Sequence, residues 1–322
     1  MGFGRSVLVA TWLAALVACH QPGVALHDTR ARSAATAAPA RGGESASDAG
    51  LDGGHACLGS PLRAYDESPG VLQRVYVELP VDGRTMPFFL DTGSAQSFRR
   101  LDTSVGPVPG PSPGPGPELV ARESPTTISC MNVGLAFSRA SVFAATPDGR
   151  ALGGVLGTDL LAVGGVLDLR IRESLFVWSG AVPPLPPGMV TLPATFTTST
   201  DPYGASKLVV DDVALDGKKV RLLVDTGSPH VVVIDKTPRL DETVIDSIDG
   251  TGARVRFYES TVDIAFGGGP PHRVTVDRAA SFPTLEKVLA AIGGGEVAGI
   301  LGIGALGHER IVIAKDALRF VP

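Results

Sequence analysis

The chain has 322 residues and a formal net charge of −5, with 44% hydrophobic residues but only 6% aromatic ones. That is long enough for about two domains and a sizeable core, and mild acidity without a basic stripe or stacking aromatics excludes a nucleic-acid surface. The 40 glycines and 26 prolines favour short strands and turns over long helices.

The N-terminus reads as a targeting segment. Arg5 supplies a positive charge, and the apolar run at 6–16 is too short to span a membrane as a mature helix. The run ends in Leu16, Val17, Ala18 and Cys19. This order resembles the lipobox of bacterial lipoprotein signal peptides, which implies cleavage before Cys19 and a lipid on its sulfur. Met1, Gly2 and Ser6 also match a myristoylation pattern, but the apolar run behind them favours export. The expected address is therefore the bacterial cell envelope, exported and lipid-anchored, in the periplasm or on the outer membrane. The expected signal peptide is 1–18.

Residues 19–68 follow as an expected disordered tether, rich in Ala, Ser, Gly, Asp and Arg and without periodicity. Cys57 and Cys130 are the remaining cysteines. In an exported protein they are candidates for a disulfide, and spacing alone leaves that pairing open.

Short apolar strands begin near Val71, and the body reads as an internal repeat. VYVELPVDGRTMPFFLDTGS at 75–94 and VVDDVALDGKKVRLLVDTGS at 209–228 align without a gap, at an offset of 134. In both, an Asp-Gly pair separates two apolar runs, which predicts a hairpin whose second strand ends in Asp-Thr-Gly-Ser. Further on, VGLAF at 133–137 resembles VDIAF at 262–266, and GVLG at 154–157 resembles GILG at 299–302. Each copy closes on apolar strands, GVLDL and LFVW in the first and IVI and LRFV in the second. One helix is predicted at 284–292. A proline-rich tract at 105–117 reads as a surface insertion, and another at 181–193 reads as a semi-rigid linker.

Two Asp-Thr-Gly-Ser motifs in matched hairpins, each with its downstream apolar-Gly strand, resemble aspartic peptidases of the pepsin and retropepsin type, over roughly 71–322. The resemblance implies an all-β fold of two lobes, each a retropepsin-like β-barrel, with few short helices. It implies an N-terminal lobe at 69–182, a linker at 183–193 and a C-terminal lobe at 194–322. It implies Asp91 and Asp225 as a catalytic pair acting on a peptide or protein substrate, with no metal and no cofactor. Thr92, Gly93 and Ser94, and Thr226, Gly227 and Ser228, would support the two active-site loops. The body is short for a pepsin, so the closer likeness is to two fused retropepsin subunits. A flap tyrosine is not evident at 101–151, and Tyr258 is not its equivalent.

The chemistry is readable without the family. Two facing carboxyls share one proton, so one can activate water while the other polarises a carbonyl. Both roles belong to the pair jointly. The resemblance further implies that hydroxyls of Thr92 and Thr226 bond backbone of the opposite lobe, while those of Ser94 and Ser228 can donate to the carboxylates. Such donors lower a carboxyl pKa and predict an acidic working range. Asp159 follows the first Val-Leu-Gly, whereas Gly304 holds the matching place in the second copy. His230 reads as strand surface. A monomer is expected, because the second lobe is present at high effective concentration within one chain. The alternative function is a catalytically inactive lipoprotein that binds peptides or partner proteins in the same cleft.

Overall fold

The computed structural model describes residues 57–68, 71–81, 83–95, 97–100, 119–120, 126–127, 134–138, 145–198, 206–237, 243–248 and 254–321. The expected signal peptide, Cys19, Cys130 and the proline-rich tract at 105–117 lie outside these residues. Of Cys57, only the backbone is described.

The described residues are mainly β, with two short helices among them. The first half runs β1 (Cys57–Ser68), β2 (Val71–Val81), β3 (Arg84–Leu90), β4 (Phe98–Arg100), β5 (Leu119–Val120), β6 (Thr126–Thr127), β7 (Gly134–Ser138), β8 (Gly154–Leu156), α1 (Asp159–Ala162), β9 (Val166–Arg170) and β10 (Leu175–Ser179). The second runs β11 (Val190–Thr198), β12 (Ser206–Leu215), β13 (Lys218–Asp225), β14 (Val231–Ile234), β15 (Thr243–Ile248), β16 (Arg254–Phe266), β17 (His272–Ala279), α2 (Pro283–Ala291), β18 (Gly299–Gly302), a 3₁₀ turn (Ile303–Ala305), β19 (Arg310–Ile313) and β20 (Ala317–Phe320).

Both predicted hairpins form. Val81 faces Arg84 across the first turn, and Leu215 faces Lys218 across the second. Asp216 and Gly217 both have positive φ, 47° and 77°, which a two-residue turn matched to strand twist demands. Each hairpin then pairs in parallel with its downstream apolar strand, β3 with β8 and β13 with β18. The glycines of that strand are required by crowding. A Cβ on Gly154 would lie 2.0 Å from the Phe98 carbonyl oxygen, and one on Gly299 would lie 1.9 Å from that of Val232.

In the second half the ladder closes on itself in the order β12, β13, β18, β14, β17, β16 and back to β12. The first half follows the same route through β2, β3, β8, β4 and β7. Helix α2 caps the second half. Leu285, Val288 and Leu289 bury one face of it against Phe257, Val209 and Leu223, at about 1.5–3 kcal/mol for each fully buried side chain.

A third section joins the halves. β1, β10, β9, β19, β20 and β11 pair in that order, all antiparallel, so three strands come from each half. This placement moves two expected boundaries. Cys57–Ser68, expected within the tether, is a strand, with Leu62 and Tyr65 buried. Val190–Pro193, expected within the linker, pairs with Ala317–Phe320. Each of these strands serves two sheets. The start of β1 pairs with β10 and its remainder with β2, while the start of β11 pairs with β20 and its remainder with β12. At the seam, Asp168 of β9 is fully buried and is gripped by Arg310 of β19 through two bonds of 2.7 Å, with Arg170 adding one of 2.9 Å.

Candidate active site

The two Asp-Thr-Gly-Ser loops leave β3 and β13 and meet between the halves. The threonines lock them together. The Thr92 hydroxyl donates to the Val224 carbonyl and the Thr226 hydroxyl to the Leu90 carbonyl, each at 2.9 Å. Each hydroxyl oxygen also accepts the other threonine's amide. Both side chains are fully buried, so these bonds replace water rather than compete with it.

Asp91 and Asp225 are 2% and 1% exposed, and their carboxyls hydrogen-bond each other. Oδ1 of Asp91 accepts the Ser94 amide at 3.1 Å, and Oδ1 of Asp225 accepts the Gly227 amide at 2.8 Å. Each glycine also faces the opposite carboxyl. A Cβ on Gly93 would stand 2.4 Å from Oδ2 of Asp225, and one on Gly227 would stand 2.7 Å from Oδ1 of Asp91. A residue with any side chain would push the carboxyls apart.

Burial holds the Asp91 carboxyl well above the usual range, and the Asp225 charge and hydrogen bond push it further up. Burial also raises Asp225, against the bond from Asp91 and the amides of Gly227 and Gly93. The hydrogen-bond donors do lower these carboxyls, but burial sets the net direction. Desolvation outweighs them, and the shared proton is held to higher pH. One donor differs from those expected. The Ser228 hydroxyl donates to the His230 carbonyl at 2.9 Å, and Asp225 is bonded instead by Asp91 and by the amides of Gly227 and Gly93.

His230 departs from its sequence reading. It is 5% exposed, and its Nδ1 lies 3.0 Å from Oδ2 of Asp277 on β17. Glu259 completes a set whose ligand atoms all lie within 4.8 Å of one another, and Oδ1 of Asp277 is buried with no partner among the described residues. His–Glu–Asp is a donor set that suits a divalent cation, and the His230–Asp277 bond engages Nδ1 and Oδ2.

Residues outside the motifs brace the first loop. The Asp159 carboxylate accepts both the Ser97 amide at 2.8 Å and the Ser97 hydroxyl at 2.6 Å, and the Ser97 oxygen accepts the Gly157 amide. Thr158 donates its amide to the Ser94 carbonyl, and its hydroxyl reaches the carbonyl of Ser206 in the other half. In the second copy Gly304 takes the place of Asp159 because its backbone presses on the loop. A Cβ there would meet the Pro229 carbonyl oxygen at 2.4 Å and that of Leu72 at 3.0 Å. The Asp159/Gly304 difference was the one sequence signal for this bracing. Lys207, fully buried at the start of β12, donates to the Gly93 carbonyl. Nothing in its local sequence announced that role.

No family model matches the chain, and no curated protein matches it. Among solved structures, part of the chain is similar to a retropepsin-like aspartic protease from Rickettsia conorii. The identity is 14%, over 41% of this chain and 88% of that one, with a TM-score of 0.24.

Proposed function

We propose that the protein is an aspartic endopeptidase, with Asp91 and Asp225 as its catalytic pair. The observation that carries this reading is the pair itself: two buried, mutually hydrogen-bonded carboxyls, one from each copy of a repeat, on loops locked by reciprocal threonine bonds. Such a pair holds one proton and one charge. The ionised carboxylate takes a proton from water as its oxygen attacks the scissile carbonyl carbon. The protonated carboxyl gives its hydrogen to the carbonyl oxygen. When the tetrahedral intermediate collapses, a proton passes to the leaving nitrogen, the C–N bond breaks, and the pair returns to its starting state. The amides of Ser94 and Gly227 keep the carboxyls in place during both transfers.

The substrate class that follows is an extended peptide lying between the halves. Export and anchoring through Cys19 belong to the same proposal and rest on the sequence alone. The test is cleavage of a peptide library by the exported form from acid to neutral pH, beside Asp91→Asn and Asp225→Asn. Each substitution is expected to lower kcat by at least about 10³-fold, since paired residues act as a unit. Cleavage that survives both would remove the mechanism. Peptide binding without cleavage by the unaltered protein would leave the non-catalytic binding reading instead.

A further inference from the structure

Lys207 has no counterpart in the repeat. At the shared offset its place in the first copy is taken by Gln73. The lysine side chain is fully buried, and its Nζ crosses from β12 of the second half to the Gly93 carbonyl of the first. Gly93 is the residue whose backbone faces Asp225 and whose amide donates to it. The ammonium thus stands one peptide unit from the carboxyl pair, inside the same water-poor junction.

A buried ammonium is costly unless an anion compensates it, and a buried carboxylate is costly for the same reason. We propose that Lys207 is the built-in counter-cation of the Asp91/Asp225 pair and the positioning residue that sets its working pH window. With one shared proton, the pair carries a single negative charge and the cluster sums to zero. Losing the second proton or gaining another unbalances it. The Lys207 charge favours ionisation of both carboxyls, opposing burial. Other charged groups nearby are already engaged. Asp159, beside Thr158, is held by Ser97, and His230 is bonded to Asp277. The effect on rate rests on the peptidase reading, whereas the electrostatic coupling does not.

The test uses the full chain, with Lys207→Met to remove the charge at similar length and Lys207→Arg to keep it. Carboxyl carbon signals of labelled aspartates are followed against pH, with Asp91→Asn and Asp225→Asn used for assignment. Lys207→Met should move both ionisations of the pair upward by at least about one pH unit, a tenfold change in proton affinity, and Lys207→Arg by far less. If cleavage is observed, both limbs of the kcat/KM profile should move the same way. Unmoved carboxyl signals in folded Lys207→Met would overturn the proposal. Should that variant fail to fold, melting of two others decides. Asp91→Asn/Asp225→Asn strands the cation, so adding Lys207→Met to it should raise the melting temperature. A triple variant no more stable than the double would mean that Lys207 only latches Gly93. Absence of cleavage would sink the peptidase reading and leave both of these measurements intact.

Discussion

The amide of Thr92 donates to Oγ1 of Thr226 at 3.1 Å, and the amide of Thr226 returns the bond to Oγ1 of Thr92 at 3.0 Å. Each hydroxyl is at once acceptor for the facing amide and donor to a carbonyl behind it, so one side chain satisfies two buried backbone groups. Thr92→Val keeps the shape and strands both. At about 1–3 kcal/mol per unsatisfied group, it should cost roughly 2–6 kcal/mol in denaturant unfolding, with Thr92→Ser recovering most of that. Thr92→Val/Thr226→Val should cost less than the two singles added together, because they share the same network. Strict additivity would mean that the two threonines act separately.

The seam of the central sheet offers a second test. Asp168 is fully buried and held by Arg310 from the other half. Asp168→Ala leaves that guanidinium without its anion and should destabilise the protein by about 3–5 kcal/mol. Replacing both residues by apolar ones of similar size should recover much of the loss. A double replacement as damaging as the single one would place the cost in packing rather than charge.

Gly93 and Gly217 separate crowding from conformation. A Cβ on Gly93 would strike the Asp225 carboxyl, whereas one on Gly217, at φ 77°, would meet nothing within 4 Å. Gly93→Ala should therefore lower peptide cleavage by about 10²-fold or more, as displaced catalytic groups do. Gly217→Ala should cost about 1 kcal/mol of stability through its backbone and leave the rate unchanged. Equal effects on rate would contradict the placement of Gly93 against Asp225.

Burial holds Asp91 above the ordinary carboxyl range, so the folded protein binds more protons there than the unfolded chain does. Between about pH 4 and the raised value, the stability contributed by the protonated pair is lost as pH rises. Asp91→Asn removes that titration. Its melting temperature should gain on that of the unaltered protein from acid toward neutral pH and then level off. A gap that stays constant or narrows with rising pH would contradict the upward shift.

Hairpin turns, strand alternation and the position of each Asp after a strand are local, and they were legible residue by residue. Asp216-Gly217 prescribes its own turn, FFL and LLV prescribe buried strand ends, and the spacing in TLEKVLAAI prescribes α2, which starts at Pro283 and ends at Ala291. β1 escaped notice because it changes partners midway, with register shifts that break its alternation. β11 was hidden differently: Val190, Leu192, Ala194 and Phe196 do share one apolar face, but the strand starts inside the proline-rich tract at 181–193. His230 looked exposed because its partner Asp277 lies 47 residues on and meets it only through the parallel pairing of β14 with β17.

By itself the sequence determined that two like carboxyls would exist, each at the end of a buried strand and beside a glycine that admits close approach. Only the tertiary structure decided what those carboxyls feel. It buried both and turned the Ser228 hydroxyl away from Asp225. It also carried the Lys207 ammonium across from the other half to the Gly93 carbonyl. The physical reason is range. Turn and strand preferences act within a few residues, whereas desolvation and charge pairing depend on what the fold brings together from residues far apart in the chain.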